Sequence, residues 1–164
     1  MTKLQVGDKA PNFQLKDQDG NMVEIGDFIE KCSMVLFFYP KVALFVLDCF
    51  MVTEDAFRIS MSYFDELNAK VFGISSDTVE CHKSLAKEHQ LSFTLLSDQG
   101  GKVRKLYGVP NTMFILPGRC TYIIDSNGII RHIYSSQVKF ANHVMEAKKS
   151  LELIQISSKQ IVEE

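Results

Sequence analysis

No two of the four cysteines, Cys32, Cys49, Cys81 and Cys120, are separated by two residues. That absence argues against a Cys-x-x-Cys dithiol, and no Cys/His group has zinc spacing either. His82 and His89 lie seven apart on one predicted helix, but they lack acidic or cysteine company as metal ligands. No metal and no other cofactor is expected. No block of five Lys or Arg occurs and the formal net charge is −2, so neither nucleic acid nor an acidic membrane surface is an expected partner. The first residues, MTKLQVGDKAP, have no apolar run behind their charges, unlike a secretory signal. Reduced thiols and a cytoplasmic location are the expectation. Pro/Gly/Ser-rich linkers are also missing, so the 164 residues are read as one domain, 1–164, with a frayed tail over 155–164.

The longest apolar stretch, residues 33 to 52, has the length of a membrane span, but Pro40, Lys41 and Asp48 would lie inside the bilayer. Its first part, SMVLFFY (33–39), reads instead as a strand covered on both faces. NFQL (12–15) and MVEI (22–25) flank the turn DQDGN, with Gly20 as its positive-φ position, and predict an N-terminal hairpin. Phe50, Phe57, Met61, Phe64 and Leu67 fall on one face of a helical period. AKVFGIS (69–75) is a second buried strand. Residues 75–90 form a helix, with Asp77 as the cap and Glu80 completing a capping box. FTLLSD predicts a further extended segment, followed by a short helix from Lys102 to Tyr107 and a loop over GVPNTMFILPG (108–118). CTYIID and IIRHIYS flank DSNG as a second hairpin, and Phe140, Val144, Ala147, Leu151 and Ile154 mark a last helix. Alternating strands and helices between two hairpins predict an α/β fold, a mixed central sheet flanked by helices.

Five phrases in this order, VGDKAPNFQLKDQDGNMVEIGDF, VLFFYPK, VFGISSDTVECHKSLAKEHQLSFTLLSD, GKVRKLYGV and GRCTYIIDSNGIIRHIY, resemble the peroxiredoxins. This is the alkyl hydroperoxide reductase/thiol-specific antioxidant family. The likeness points in particular to its bacterioferritin comigratory protein or peroxiredoxin Q subgroup, over roughly residues 3 to 153. The resemblance implies a thioredoxin-like fold and a thiol peroxidase. Such an enzyme reduces hydrogen peroxide and organic hydroperoxides through a cysteine sulfenic acid, with thioredoxin or another thiol as reductant. It also implies a monomer or weak homodimer. Arg119, in GRCT, fits the family's active-site arginine.

Cys49 is the one candidate nucleophile the resemblance offers, but it stands one residue before the family's position, which counted back from Phe57 falls on Phe50, in a segment three residues longer than the family's polar loop and unlike it. Val46 replaces the threonine three residues before the cysteine, the proline is missing, and Glu54 occupies the usual resolving position. The apolar neighbours Val46, Leu47, Phe50 and Met51 would desolvate the sulfur and raise its pKa, and Asp48 would oppose the thiolate. Cys81 is the alternative resolving cysteine; Cys32 and Cys120 are expected in the core. The competing reading is a catalytically impaired protein of the same fold that acts as an interaction module through the apolar run VALFVLDCFMV.

Overall fold

The computed structural model describes residues 3–41, 55–112, 116–139 and 141–162. A seven-stranded sheet organises the chain in the order β2-β1-β5-β4-β3-β8-β9. Its strands are β1 (Gln14–Asp17), β2 (Met22–Glu24), β3 (Ser33–Phe38), β4 (Ala69–Ser75), β5 (Thr94–Ser97), β8 (Cys120–Ile124) and β9 (Ile130–Ser135). Strands β3, β4 and β5 run parallel, because a helix connects each to the next. Strand β8 joins β3 antiparallel and β9 closes that edge. The N-terminal hairpin is part of the same sheet, since β1 pairs antiparallel with β5. The mixed α/β sheet read from the sequence is therefore the architecture found. Residues 33–38 form an interior strand between β4 and β8, and no helix among the described residues is long and apolar enough to cross a membrane.

The alternation along β3 splits the core in two. Met34, Leu36 and Phe38 belong to one apolar cluster, with Phe72, Ile74, Tyr107 and Tyr122. Val35, Phe37 and Tyr39 belong to the other, with Phe57, Phe64, Val144, Ala147 and Leu151. Successive side chains point to opposite faces of a strand, so a strand buried on both faces needs this unbroken apolar run. Helix α1, described over residues 55–59, and α2 (Met61–Glu66) supply Phe57 and Phe64, whose rings stack at 5.8 Å. The single predicted helix is interrupted between them at Ser60 (φ −97°, ψ 3°). Phe50 and Phe140 lie outside the described residues.

Three expectations need correction. Helix α3 (Val79–Glu88) is capped by Thr78, not Asp77: Thr78 is extended and its Oγ1 accepts from the Cys81 amide at 3.2 Å. Asp77 is buried instead, its carboxylate accepting from Ser75 Oγ at 2.7 Å. Replacing Thr78 by alanine should cost about 1 kcal/mol, read as a lower urea midpoint at unchanged slope, while Thr78→Ser keeps most of it. The loop over 108–118 contains a small antiparallel pair, β6 (Asn111–Thr112) with β7 (Leu116–Pro117). Its prolines and glycines hid so short a pairing. The tail does not fray at 155: α5 (Asn142–Val162) continues to its last described turn. Ile154 is part-buried on its inner face, and further on the Ser157 and Ser158 hydroxyls bond back to the carbonyls of Leu153 and Ile154 at 2.9 Å. Backbone propagation outlasts the buried stripe. The short helix α4 (Lys102–Leu106) lies where the sequence put it.

Candidate active site

Ligands of open α/β sheets collect at the carboxyl ends of the parallel strands. Here β3 leaves the sheet at Phe38, and Tyr39, Pro40 and Lys41 lead out to the residues that carry Cys49. Cys49 itself lies outside the described residues. Strand β8 runs the opposite way beside β3, and the last registered pair is Phe38 with Cys120. Arg119 is therefore one step further out, next to Tyr39. Its side chain is only 2% exposed. Its main chain is tied down independently: the amide donates to Gln137 Oε1 at 2.8 Å, and the carbonyl accepts from Ser135 Oγ at 3.2 Å.

Histidine 143 lies behind Arg119. Its Nε2 sits 3.0 Å from the Ser136 carbonyl, which only accepts, so Nε2 carries the proton. Nδ1 then accepts from Thr121 Oγ1 at 2.8 Å. Burial lowers the His143 pKa, the Ser136 bond opposes that, and the Arg119 charge adds to the lowering. The ring is a neutral link between β8 and the residue that follows β9.

A second polar group sits on the other side of Tyr39. The Tyr39 hydroxyl lies 3.1 Å from His82 Nε2, and Ser75 Oγ lies 2.8 Å from the same nitrogen. Ser75 Oγ donates to the Asp77 carboxylate at 2.7 Å and accepts from the Asp77 amide at 3.1 Å. Having given its proton to Asp77, the hydroxyl meets His82 as an acceptor, so His82 is protonated on Nε2. Burial pushes the His82 pKa down to about 4, against the pull of the Asp77 charge. His82 is thus a buried hydrogen-bonding residue beneath Tyr39. His89 caps the end of α3, and no group of three His, Cys, Asp or Glu that could hold a metal occurs among the described residues.

Arginine 104 went unread in the sequence. It reaches across from α4 and donates to two carbonyls, Gly118 at 2.7 Å and Tyr39 at 2.5 Å. Only local pattern was available in the sequence, and it predicts no more than a short helix from Lys102 to Tyr107. A cleft of about 820 Å³ is lined by Phe13, Leu15, Val79, Lys102 and Leu106 among others. It touches neither Arg119 nor Tyr39, so its size does not make it the reactive centre.

Comparison with known proteins places this arrangement. The AhpC/TSA family profile matches residues 6–133. The chain belongs to the AhpC/TSA family. Among curated relatives, peroxiredoxin Q, chloroplastic, of Triticum aestivum is 43% identical over 151 residues, 92% of this chain and 68% of that protein. Among solved structures, peroxidoxin BcpB of Mycobacterium tuberculosis superposes with a TM-score of 0.82 at 28% identity, covering 92% of this chain and 98% of its own. A Xylella fastidiosa PrxQ mutant superposes at 0.83 over 94% and 99%, with 23% identity, and shows the shared fold. The thioredoxin-like fold and the peroxiredoxin identity expected from the sequence both hold.

As a peroxiredoxin, the protein is a thiol enzyme, and its described cysteines differ in setting. Cys32 and Cys120 are buried in the core, as expected. Burial pushes the Cys120 thiol up to about 11, and the Cys32 thiol is raised for the same reason. Neither suits thiolate chemistry at neutral pH. Cys81 is half-buried on the first turn of α3, with its sulfur donating to Asp77 Oδ1 at 3.8 Å. Desolvation and the Asp77 charge raise its pKa. Cys32, Cys81 and Cys120 are all free thiols.

Proposed function

We propose that the protein reduces hydrogen peroxide and organic hydroperoxides through Cys49. The observation that carries this reading is the buried guanidinium of Arg119 at the start of β8, beside the exit of the strand that leads to Cys49. A cation there favours the thiolate over the thiol. It also meets the charge that develops on the departing oxygen. The Cys49 thiolate attacks one peroxide oxygen; the S–O bond forms as O–O breaks, and the departing oxygen takes a proton as water or alcohol. The sulfur is left as a sulfenic acid. A reducing thiol, that of thioredoxin or of another donor, then attacks this sulfur and water leaves. A second thiol releases the mixed disulfide. Cys81 is the internal alternative, although its raised pKa makes it a slow attacking thiol. No cofactor enters this cycle. A reducing compartment such as the cytoplasm suits these steps, and we place the protein there as a monomer or weak homodimer.

The test is to treat the reduced protein with one equivalent of hydrogen peroxide and trap sulfenic acid with dimedone. Label on the tryptic peptide containing Cys49, absent from Cys49→Ser, is the expected result. An unlabelled Cys49 beside a labelled control peroxiredoxin would defeat the proposal and favour the interaction-module reading.

A further inference from the structure

We propose that Arg104 is a positioning residue: its buried guanidinium sets how far the start of β8, and Arg119 with it, stands from the exit of β3. The need for such a residue follows from the ladder. Backbone pairing between β3 and β8 ends at Phe38 and Cys120. Just beyond it lie the carbonyls of Tyr39 and Gly118, two acceptors that cannot bond each other. The Gly118 carbonyl belongs to the peptide group that carries the Arg119 amide. The Tyr39 carbonyl belongs to the peptide group that leads into Pro40. Arg104 spans both, with Nη1 on Gly118 at 2.7 Å and Nη2 on Tyr39 at 2.5 Å. A planar fork of fixed donors does this; a lysine's single nitrogen on a flexible stem would not hold the same spacing.

The arm is held at both ends. At its base, the Asp98 carboxylate accepts from the Val103 and Arg104 amides at 3.1 and 2.9 Å, which pins the first turn of α4. Along its length the guanidinium carbon stands 5.9 Å from the centre of the Phe38 ring. Arg104 is 8% exposed. Burial pushes its pKa down to about 10 while Asp98 opposes the shift, so the fork stays charged at neutral pH. Its contacts are main-chain carbonyls, so it acts through Arg119 rather than on the reacting atoms. This inference rests on the proposed function only in its catalytic consequence.

Two readouts test it, one independent of activity. In Arg104→Lys, and in Arg104→Gln should the lysine variant fold poorly, the Arg119 amide should exchange its hydrogen at least about tenfold faster, while the Ile123 and Ile124 amides in β8 stay protected. The peroxide rate constant should fall about tenfold and its pH midpoint should rise, since a misplaced cation stabilises the thiolate less. Unchanged exchange at Arg119 overturns the proposal. So does a rate and pH profile, per folded molecule, equal to wild type in a protein whose rate depends on Cys49 and Arg119. If the wild-type rate is insensitive to Cys49→Ser and Arg119→Met, the proposed function fails, and the exchange measurement alone decides the clamp.

Discussion

Arg119→Met should lower the second-order rate constant with hydrogen peroxide at pH 7 by about two orders of magnitude, the cost of removing one donor aimed at developing charge. Two effects combine. The thiol loses its cation, so its pKa returns toward the ordinary value near 8.5, where only a few per cent is thiolate at neutral pH. The departing oxygen also loses a charge-assisted donor. Raising the pH restores the first loss and not the second, so the variant should recover in part above pH 9. Methionine nearly preserves the volume of the buried side chain, and the main chain of Arg119 is held by Gln137 and Ser135. The strand should therefore stay in place, as thermal melting would verify. Stopped-flow rates within threefold of wild type would mark Arg119 as a structural arginine.

Acid should destabilise the fold through His82 by about 3 kcal/mol, a large part of the roughly 5–15 kcal/mol of a typical domain. The folded pKa is depressed from 6.5 to about 4, chiefly by burial. Above pH 6.5 the ring is neutral in both states, and the full stability is present. Between pH 6.5 and about 4 the unfolded chain binds a proton that the folded chain refuses. Stability then falls by up to about 1.4 kcal/mol per pH unit, and levels off below pH 4. His143, also lowered by burial, adds in the same direction. Urea unfolding at pH 7.5, 6, 5 and 4 measures the slope. His82→Gln, which cannot titrate, should flatten it even if its stability at pH 7.5 is lower. An unchanged slope would mean that some other group carries the acid sensitivity.

The two rings show how much a sequence conveys about its polar interior. His82 and His89 were visible as a spaced pair on a helix, too thin in ligand company for a metal site, and the sequence assigned them no other role. In the structure His82 turns inward to Tyr39 and Ser75, while His89 ends the helix. Ser75, at the end of β4, and His82, on α3, meet because the chain folds back through Asp77 and Thr78, a geometry that a helical period does not encode. His143 is similar: its partners Thr121 and Ser136 come from β8 and the segment after β9. The capping error has the same origin. Asp77 and Thr78 are both good caps by residue type. Only the burial of Asp77 beside Ser75 leaves the role to Thr78.

What the sequence determined by itself was whatever local pattern specifies. The unbroken run of residues 33–39 required a strand buried on both faces, and DSNG required a turn, with Gly128 at φ +78°. The ordered phrases disclosed the family, and GRCT disclosed Arg119. Tertiary structure decided the company that Arg119 keeps. Its neighbours Tyr39, His143 and Arg104 come from β3's exit, α5 and α4. Arg104 is one more cation on a short helix until the β3–β8 register places the carbonyls of Tyr39 and Gly118 within its reach. Hydrophobic period reports which face of an element is buried. It carries no information about which polar groups meet across elements, because that depends on register and packing distances set by the whole sheet.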